Sequence, residues 1–513
     1  MAQTSFANIL ALLKDPTIPI YVKPGGDLGT AEDLNLSGII PAVAPGNFGS
    51  KAFRKEFNLR YAYVGGSMVA GISSVAMVTA LVDAGFLGVF GASGLSPAQV
   101  EEAVFKIKDE LEEEQNFGSC LIHSPQDPQW EEKVVNIYLE RGVNLIEASA
   151  FMQITPSLVR YRLKGLTLTP DEQIYTPNRV MAKVSRLELA KRFFSPPPPK
   201  VVQEALNRGW ITDKEASLAP RVPMAQDLSA EADSGGHTDF RSALTLWPAM
   251  VRLAEDMTLK YDYPQALRVG AAGGLGTPSA LLAAQDMGVS YFVTGSINQS
   301  CLESGLSEGA RALLAKAGQT DVSQAPAADM FELGSRVQVL KYGTLFAPRA
   351  LRLAELYRQY QRIEEIPAEE RRSLEEKVFR KPLSEVWEET RQFFSQRDPA
   401  TLEKAEANAK FKMALIFRWY LGQASRWAIN GVEERRGDWS IFCGPSLGAF
   451  NEWVAGTYFE APNNRHVVDL AGLLLYGAAV LKRVALARDL GLIGLDLPLS
   501  VPPLDPGELA NFI

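Results

Sequence analysis

The stretch Asp233-Ser234-Gly235-Gly236-His237-Thr238-Asp239 puts a histidine directly behind paired glycines, where a run with strand character (Met224 to Glu231) ends. Two glycines remove two side chains and allow positive φ, so backbone N–H groups can close on a flat or anionic ligand. His237 is one of only 3 histidines in 513 residues. Its imidazole exchanges a proton near neutral pH, which suits acid–base work or a hydrogen bond to a carbonyl. Taken alone, the pattern is equally a Gly-rich turn with an incidental histidine. Two further glycine turns tip the balance: Gly273-Gly274-Leu275-Gly276-Thr277 before Pro278, and Thr294-Gly295-Ser296. Exposed N–H groups at two such ends, with a helix N-terminus beside them, make a pocket for one phosphate. No GxGxxG fingerprint with a downstream acid fits, so a mononucleotide suits the pocket better than a tightly held NAD.

Lys183 ends another strand-like run, Asn178 to Val184. An ammonium there needs an anionic partner. It could neutralise the N1/O2 edge of a reduced flavin; an ion pair with Glu147 or Glu231 explains it equally well. His123 follows a third run and could reach the same pocket or mark a His-Ser-Pro turn, whereas His466 reads as structural or solvent-facing.

These residues sit on a regular alternation. Strand-like runs at 61–68, 85–94, 116–125, 143–149, 178–184, 224–231, 267–274 and 289–296 alternate with helical segments over roughly 270 residues. That is the count and size of a TIM (β/α)8 barrel, whose active face lies at the C-terminal strand ends and whose phosphate sites follow strands seven and eight. A turn-rich N-terminal cap over 1–60 precedes the barrel at 61–330. A charged, helix-rich appendage over 331–513 follows, in which Met413, Ile416, Phe417, Tyr420, Leu421, Ala424, Trp427 and Ala428 recur at helical spacing. That face reads as core packing, with an acyl tunnel as the sharper alternative.

Composition narrows the class. With 46% hydrophobic and 22% charged residues the chain is an ordinary globular protein. A net charge of −8 argues against a nucleic-acid surface. Cys120, Cys301 and Cys443 are odd in number and scattered, suggesting neither disulfides nor a metal site. The N-terminus lacks a leader pattern, and the longest apolar run, Leu470 to Leu481, is shorter than the ~20 residues of a membrane span. A reduced, cytoplasmic enzyme is the expectation.

Nine segments carry a family likeness: YAYVGGSMVAGISS (61–74), NFGSCLIHSP, AKVSR (182–186), EADSGGHTD (231–239), VGAAGGLGTP (269–278), VTGSINQS (293–300), APAADMFELG (325–334), FRWYLG (417–422) and CGPSLGAFNEW (443–453). From about Phe48 to about Val480 the sequence resembles the PfaD-type trans-acting enoyl reductases of polyunsaturated fatty acid and polyketide synthases, which belong with FMN-dependent enoyl reductases and nitronate monooxygenases. The resemblance implies that Gly66, Ser67 and Met68 line a flavin ring, that Gly235 and Gly236 pack by it, and that Gly273, Gly274, Gly295 and Ser296 hold its phosphate. It makes His237 the active-site histidine. It also implies FMN as cofactor, NADPH or NADH as reductant, and an acyl carrier protein as partner, with a homodimer left open and neither nucleic acid nor membrane. Two departures stand out. Ser119-Cys120 replaces the usual Val-Asn, so Cys120 stands where a flavin-side amide is expected, and Ser440-Ile441-Phe442 replaces Gln-x-Trp. Nitronate oxidation and a non-catalytic docking role are the alternatives.

Ten Lys/Arg against seven Glu between Lys341 and Lys381 leave a local balance of +3. Arg349, Arg352 and Arg358 are the residues expected to meet an acidic carrier protein, unless they merely form a solvated helix face.

Overall fold

The computed structural model describes residues 6–513, apart from 26, 113–114, 125–126, 329 and 491–499. The expected Gly26 turn, the expected helix end at Glu114, Pro125 and Asp329 lie outside the described residues. The chain forms two units: Met1–Asp233, Asp239–Gly305 and Ala449–Ile513 make the first; Ser234–Thr238 and Leu306–Gly448 make the second.

The first unit contains a closed, all-parallel barrel of eight strands: β1 (Tyr63–Gly65), β2 (Leu87–Phe90), β3 (Gly118–Ile122), β4 (Leu145–Ser149), β5 (Arg179–Val184), β6 (Asp227–Glu231), β7 (Arg268–Ala272) and β8 (Tyr291–Thr294). β8 pairs with β1 through Val293 opposite Val64 and closes the ring. Strands buried on both faces read as short continuous apolar runs rather than alternations; Leu87–Phe90 and Tyr291–Thr294 are buried at every position. Each of the eight sequence-predicted runs contains one barrel strand.

Seven helices follow their strands in order: α1 (Val75–Asp83), α2 (Pro97–Glu110), α3 (Pro128–Glu140), α4 (Pro156–Leu163), α5 (Leu187–Phe194), α6 (Ala243–Tyr261) and α7 (Pro278–Asp286). Their starts are written locally. Ser74, Ser96, Asp127, Thr155 and Thr277 each accept a backbone N–H at an N-cap, and a proline opens α2, α3, α4 and α7. At the opposite end of the ring, Phe53 and Phe57 from the Lys51–Glu56 helix and the residue after it fill the barrel floor, with Phe53 stacked 4.4 Å from Tyr291.

The eighth helix does not follow its strand. After β8 comes only a short turn at Asn298–Ser300, and the helix that packs against both α7 and α1 is α8, Val467–Asp489. The stretch 331–513, expected as one appendage, is therefore divided: Leu306–Gly448 is an insertion within the last β/α repeat, and the residues after it return to the barrel. α8 is apolar and long enough to cross a membrane, but 83% of its most apolar window is buried within the protein. Its hydrophobicity is that of a barrel helix covered on several sides.

Two links hold the chain where it leaves and re-enters. Glu303 accepts the Val467 N–H at 3.1 Å and pairs with His466 Nδ1 at 2.8 Å, capping α8. Buried Arg465 donates to Phe459 O at 2.8 Å, Asn451 Oδ1 at 2.9 Å and Ser300 Oγ at 3.1 Å.

The second unit is a helical domain around a hairpin, β9 (Val322–Pro326) and β10 (Arg336–Leu340). Its core gathers Met413, Ile416, Phe417, Tyr420, Leu421 and Ala424 from the Ala409–Asn430 helix against Phe346, Ala350, Leu353, Phe379 and Val386. The predicted helical face is thus core packing.

Candidate active site

In the first unit the sequence-predicted residues gather at the C-terminal ends of the strands. Gly66, Ser67 and Met68 follow β1, and the Gly66 N–H donates to Thr294 O at 3.0 Å. A Cβ at Gly66 would stand 2.8 Å from Val293 Cγ1, so any larger residue there would have to displace that side chain. Met68 is pinned from beneath: a Cβ on Gly91 would lie 1.7 Å from the Met68 carbonyl oxygen. Its sulfur lies 3.9 Å from where a Cβ on Gly295 would sit, so the turns after β1 and β8 are neighbours.

Beyond β7, Gly273 and Gly274 both have positive φ, +76° and +79°. A Cβ at Gly273 would strike the Ala232 carbonyl oxygen at 2.8 Å, whereas one at Gly274 would meet nothing within 4 Å. Open space beside a backbone in the left-handed region, directly before the N-terminus of α7, is a cradle that a phosphate fits and a side chain would fill. Changing Gly274 to Leu is therefore expected to fill that cradle from a backbone at φ +79° that a branched residue adopts only under strain, read as a fall of a few degrees in the melting temperature.

On β3, β4 and β5 the structure adds a residue that the sequence marks only as a partner. Glu147 is fully buried, and its Oε1 receives Lys183 Nζ at 2.8 Å, Ser149 Oγ at 3.4 Å and a short hydrogen bond from Ser67 Oγ. Lys183 also reaches Ser67 O at 3.4 Å. Burial pulls the Lys183 ammonium toward neutrality, but the charges of Glu147 and Glu231 outweigh it and hold the group above the ordinary lysine value. The ion-pair explanation of Lys183 thus holds, and the pair stands beside Ser67. Cys120 lies in the same cluster, 3.7 Å from Ser149 Oγ, and burial followed by the Glu147 charge pushes its thiol up, so it is a neutral contact rather than a nucleophile. Ser119 bonds Tyr138 OH at 2.7 Å on α3. The signal for Glu147 was a lone carboxylate inside the apolar run Asn144-Leu145-Ile146-Glu147-Ala148.

The loop after β6 is held at its base by the Asp233 N–H to Arg241 O at 2.9 Å. On its return limb Asp239 takes both Arg186 Nε and Nη2 at 2.7 Å and Ser185 Oγ at 2.6 Å. Its tip belongs to the second unit, where Gly236 and Gln338 exchange N–H···O bonds at 3.1 and 3.0 Å. A Cβ on Gly235 would stand 2.7 Å from Cys443 N, and one on Gly444 would stand 2.9 Å from Ser234 Cα. Gly235 is thus required for the backbones of Ser-Gly-Gly and Cys-Gly-Pro to lie together, while Gly236, at φ +81°, faces open space. His237 is exposed at this tip. His123 is held elsewhere, stacked on Phe151 at 5.1 Å with Nδ1 3.5 Å from Glu131.

Half of the basic stretch faces carboxylates: Arg349, Arg352, Arg362, Arg380 and Lys381 each have one within 4 Å. Arg349 pairs with fully buried Asp438, Arg352 bonds Glu370 at 2.9 Å, and Arg362 bonds Glu365 at 3.0 Å. The expectation that Arg349, Arg352 and Arg358 together form a docking patch is corrected: Arg349 is a core ion-pair partner, Arg352 is committed to a carboxylate, and only Arg358 of the three is exposed.

A crystal structure of the enoyl reductase domain of MlnA, from the macrolactin biosynthesis cluster of Bacillus amyloliquefaciens, superposes with a TM-score of 0.82 at 36% identity over 86% of this chain and 98% of that one. The chain belongs to the PfaD-type enoyl reductase family. Among its relatives, the polyketide biosynthesis protein PksE of Bacillus subtilis is 43% identical over 91% of the chain, and a polyunsaturated fatty acid synthase protein of Thraustochytrium is 41% identical over 94%. The chain spans 59% of the first relative's length and 32% of the second's. Within this PfaD-type chain, residues 360–439 match the inserted helical domain of an [acyl-carrier-protein] S-malonyltransferase.

Proposed function

We propose that the protein is a trans-acting, FMN-dependent enoyl reductase that saturates the 2,3 double bond of thioesters tethered to an acyl carrier protein, in polyketide or polyunsaturated fatty acid biosynthesis. The observation that carries this reading is the near-full-length likeness to the MlnA enoyl reductase domain. The glycine cradle at Gly273 and Gly274, the Gly295-Ser296 turn beside Met68 and the Lys183–Glu147 pair beside Ser67 suit FMN. When bound, that cofactor would supply hydride-transfer chemistry between NADPH or NADH and the enoyl thioester. The residues would bind and orient: the glycine turns would take the phosphate, Ser67 and Met68 would face the ring, and His237 would donate a hydrogen bond to the thioester carbonyl and serve the proton that reaches the α-carbon. Three buried cysteines, none of them in a disulfide, suit a reducing, cytoplasmic setting.

An anaerobic assay with crotonyl-loaded carrier protein, each nicotinamide in turn and an absorbance record of the flavin tests this reading. Turnover with the carrier-bound enoyl group is expected; turnover of nitroalkanes alone would replace it with nitronate oxidation.

For the partner, exposed Lys341, Arg358, Arg372 and Lys377 remain from the basic stretch, and the last three are the proposed docking residues. The triple charge reversal is expected to raise KM for the carrier-bound substrate roughly three- to tenfold, more at low salt, as steering by surface charge requires. KM for a short free thioester is expected to stay constant, and equal changes for both substrates would rule out these residues as a docking face.

A further inference from the structure

Glu147 has no obvious reason to be where it is. Burying a carboxylate costs several kcal/mol unless it is paired and its oxygens are satisfied. Here Oε1 collects Lys183, Ser67 and Ser149, while Oε2 is buried without a hydrogen-bond partner. A group kept for stability alone would have both oxygens served, or would be replaced by a residue that needs no partner. What Glu147 supplies that a neutral acceptor could not is a full negative charge beside the ammonium of Lys183.

We propose that Glu147 is a positioning and charge-balancing residue: it fixes Lys183 and Ser67 at the ring edge of the bound cofactor and lowers that cofactor's reduction potential by offsetting the lysine charge. The proposal rests on the flavin reading above. The physics is Coulombic. Two-electron reduction builds negative charge on the isoalloxazine ring, and an unbalanced ammonium beside it would stabilise the reduced form. With Glu147 at 2.8 Å the pair is close to neutral. Hydride loss to the substrate is then favoured, and Lys183 still serves as a hydrogen-bond donor. Glu231, at the end of neighbouring β6, adds to the same balance, since its charge also raises Lys183. The thiol of Cys120 registers the Glu147 charge from its other side.

The test is a redox titration of purified, FMN-loaded protein in the parent, Glu147→Gln, Glu147→Asp and Lys183→Met, together with the Kd for FMN of each apoprotein. Glu147→Gln keeps the shape and removes the charge. It is expected to shift the equilibrium toward reduced FMN about tenfold, which is about 30 mV upward for a two-electron couple. Glu147→Asp is expected to stay near the parent potential while weakening FMN binding several-fold, because charge is kept and reach is lost. Lys183→Met is expected to move the potential downward; it supplies the charge test even if Glu147→Gln fails to fold. An unchanged or lower potential in Glu147→Gln, or Glu147→Asp matching Glu147→Gln, overturns the proposal and leaves the flavin reading intact. Parent protein that takes up no FMN overturns both.

Discussion

On the proposed function, replacing His237 with alanine is expected to leave FMN bound and to slow enoyl reduction by about 10²–10⁴, the usual share of one positioned acid–base group. The structure explains why the scaffold should tolerate the change. His237 is exposed, the Gly236–Gln338 bridge is made by main-chain atoms, and the loop base and return limb are fixed by Asp233, Arg241 and the Asp239–Arg186 fork. Stopped-flow measurement of the two half-reactions separates the roles. Flavin reduction by the nicotinamide needs no proton from His237 and should fall much less; equal loss in both half-reactions would assign His237 to nicotinamide binding or to the fold.

The second large effect is structural. Asp438 is fully buried and accepts Tyr420 OH at 2.8 Å and Arg435 Nη1 at 3.1 Å; it also pairs with Arg349, and Arg380 lies 3.5 Å away. Burial, then the Asp438 charge, drives the Tyr420 hydroxyl up, while burial lowers Arg435 despite Asp438. Asp438→Ala strands one buried guanidinium and a buried phenol around an empty site. It is expected to destabilise the second unit by about 3–5 kcal/mol, as breaking buried pairs does. Urea unfolding followed by tryptophan fluorescence measures it. Arg352→Ala, which removes a partly exposed pair, is the contrast and should cost less than about 1 kcal/mol.

The barrel was legible because its strands are short apolar runs punctuated by glycine and its helices open on Ser, Thr, Asp and Pro. Those signals are local. Thr277-Pro278 and Ser96-Pro97 announce α7 and α2 within a few residues, whatever the rest of the chain does. The eighth helix was not legible as such, since nothing in Val467–Asp489 says that its strand ended at Thr294. Its long apolar stretch reads in the sequence only as a run too short for a membrane span, because the partners that bury it, α7 and α1, lie far away in sequence. The same holds within the site. Glycine turns mark Gly66, Gly273 and Gly295 where they stand, but the weight of Glu147 appears only once β3, β4 and β5 bring Cys120, Ser149 and Lys183 around it. Charge counting failed for a related reason. A +3 balance over 41 residues does not record that Arg349 is answered by Asp438, 89 positions later.

The displaced α8 has a consequence for how the molecule is made. A chain emerging from the ribosome completes β8 at Thr294 but must add the whole of Leu306–Gly448 before Val467–Asp489 can cover the seam between α7 and α1. Until then the nascent barrel exposes an apolar strip to the surrounding proteins, and its last contacts are of very long sequence separation, which slows folding. The inserted domain, with its own core, can fold inside that interval and bring the two ends of its excursion to where Glu303 and Arg465 fasten them. Helical-domain folding would then act as an assembly step for the barrel, so an unstable insertion such as that carrying Asp438→Ala would surface in cells first as aggregated barrel.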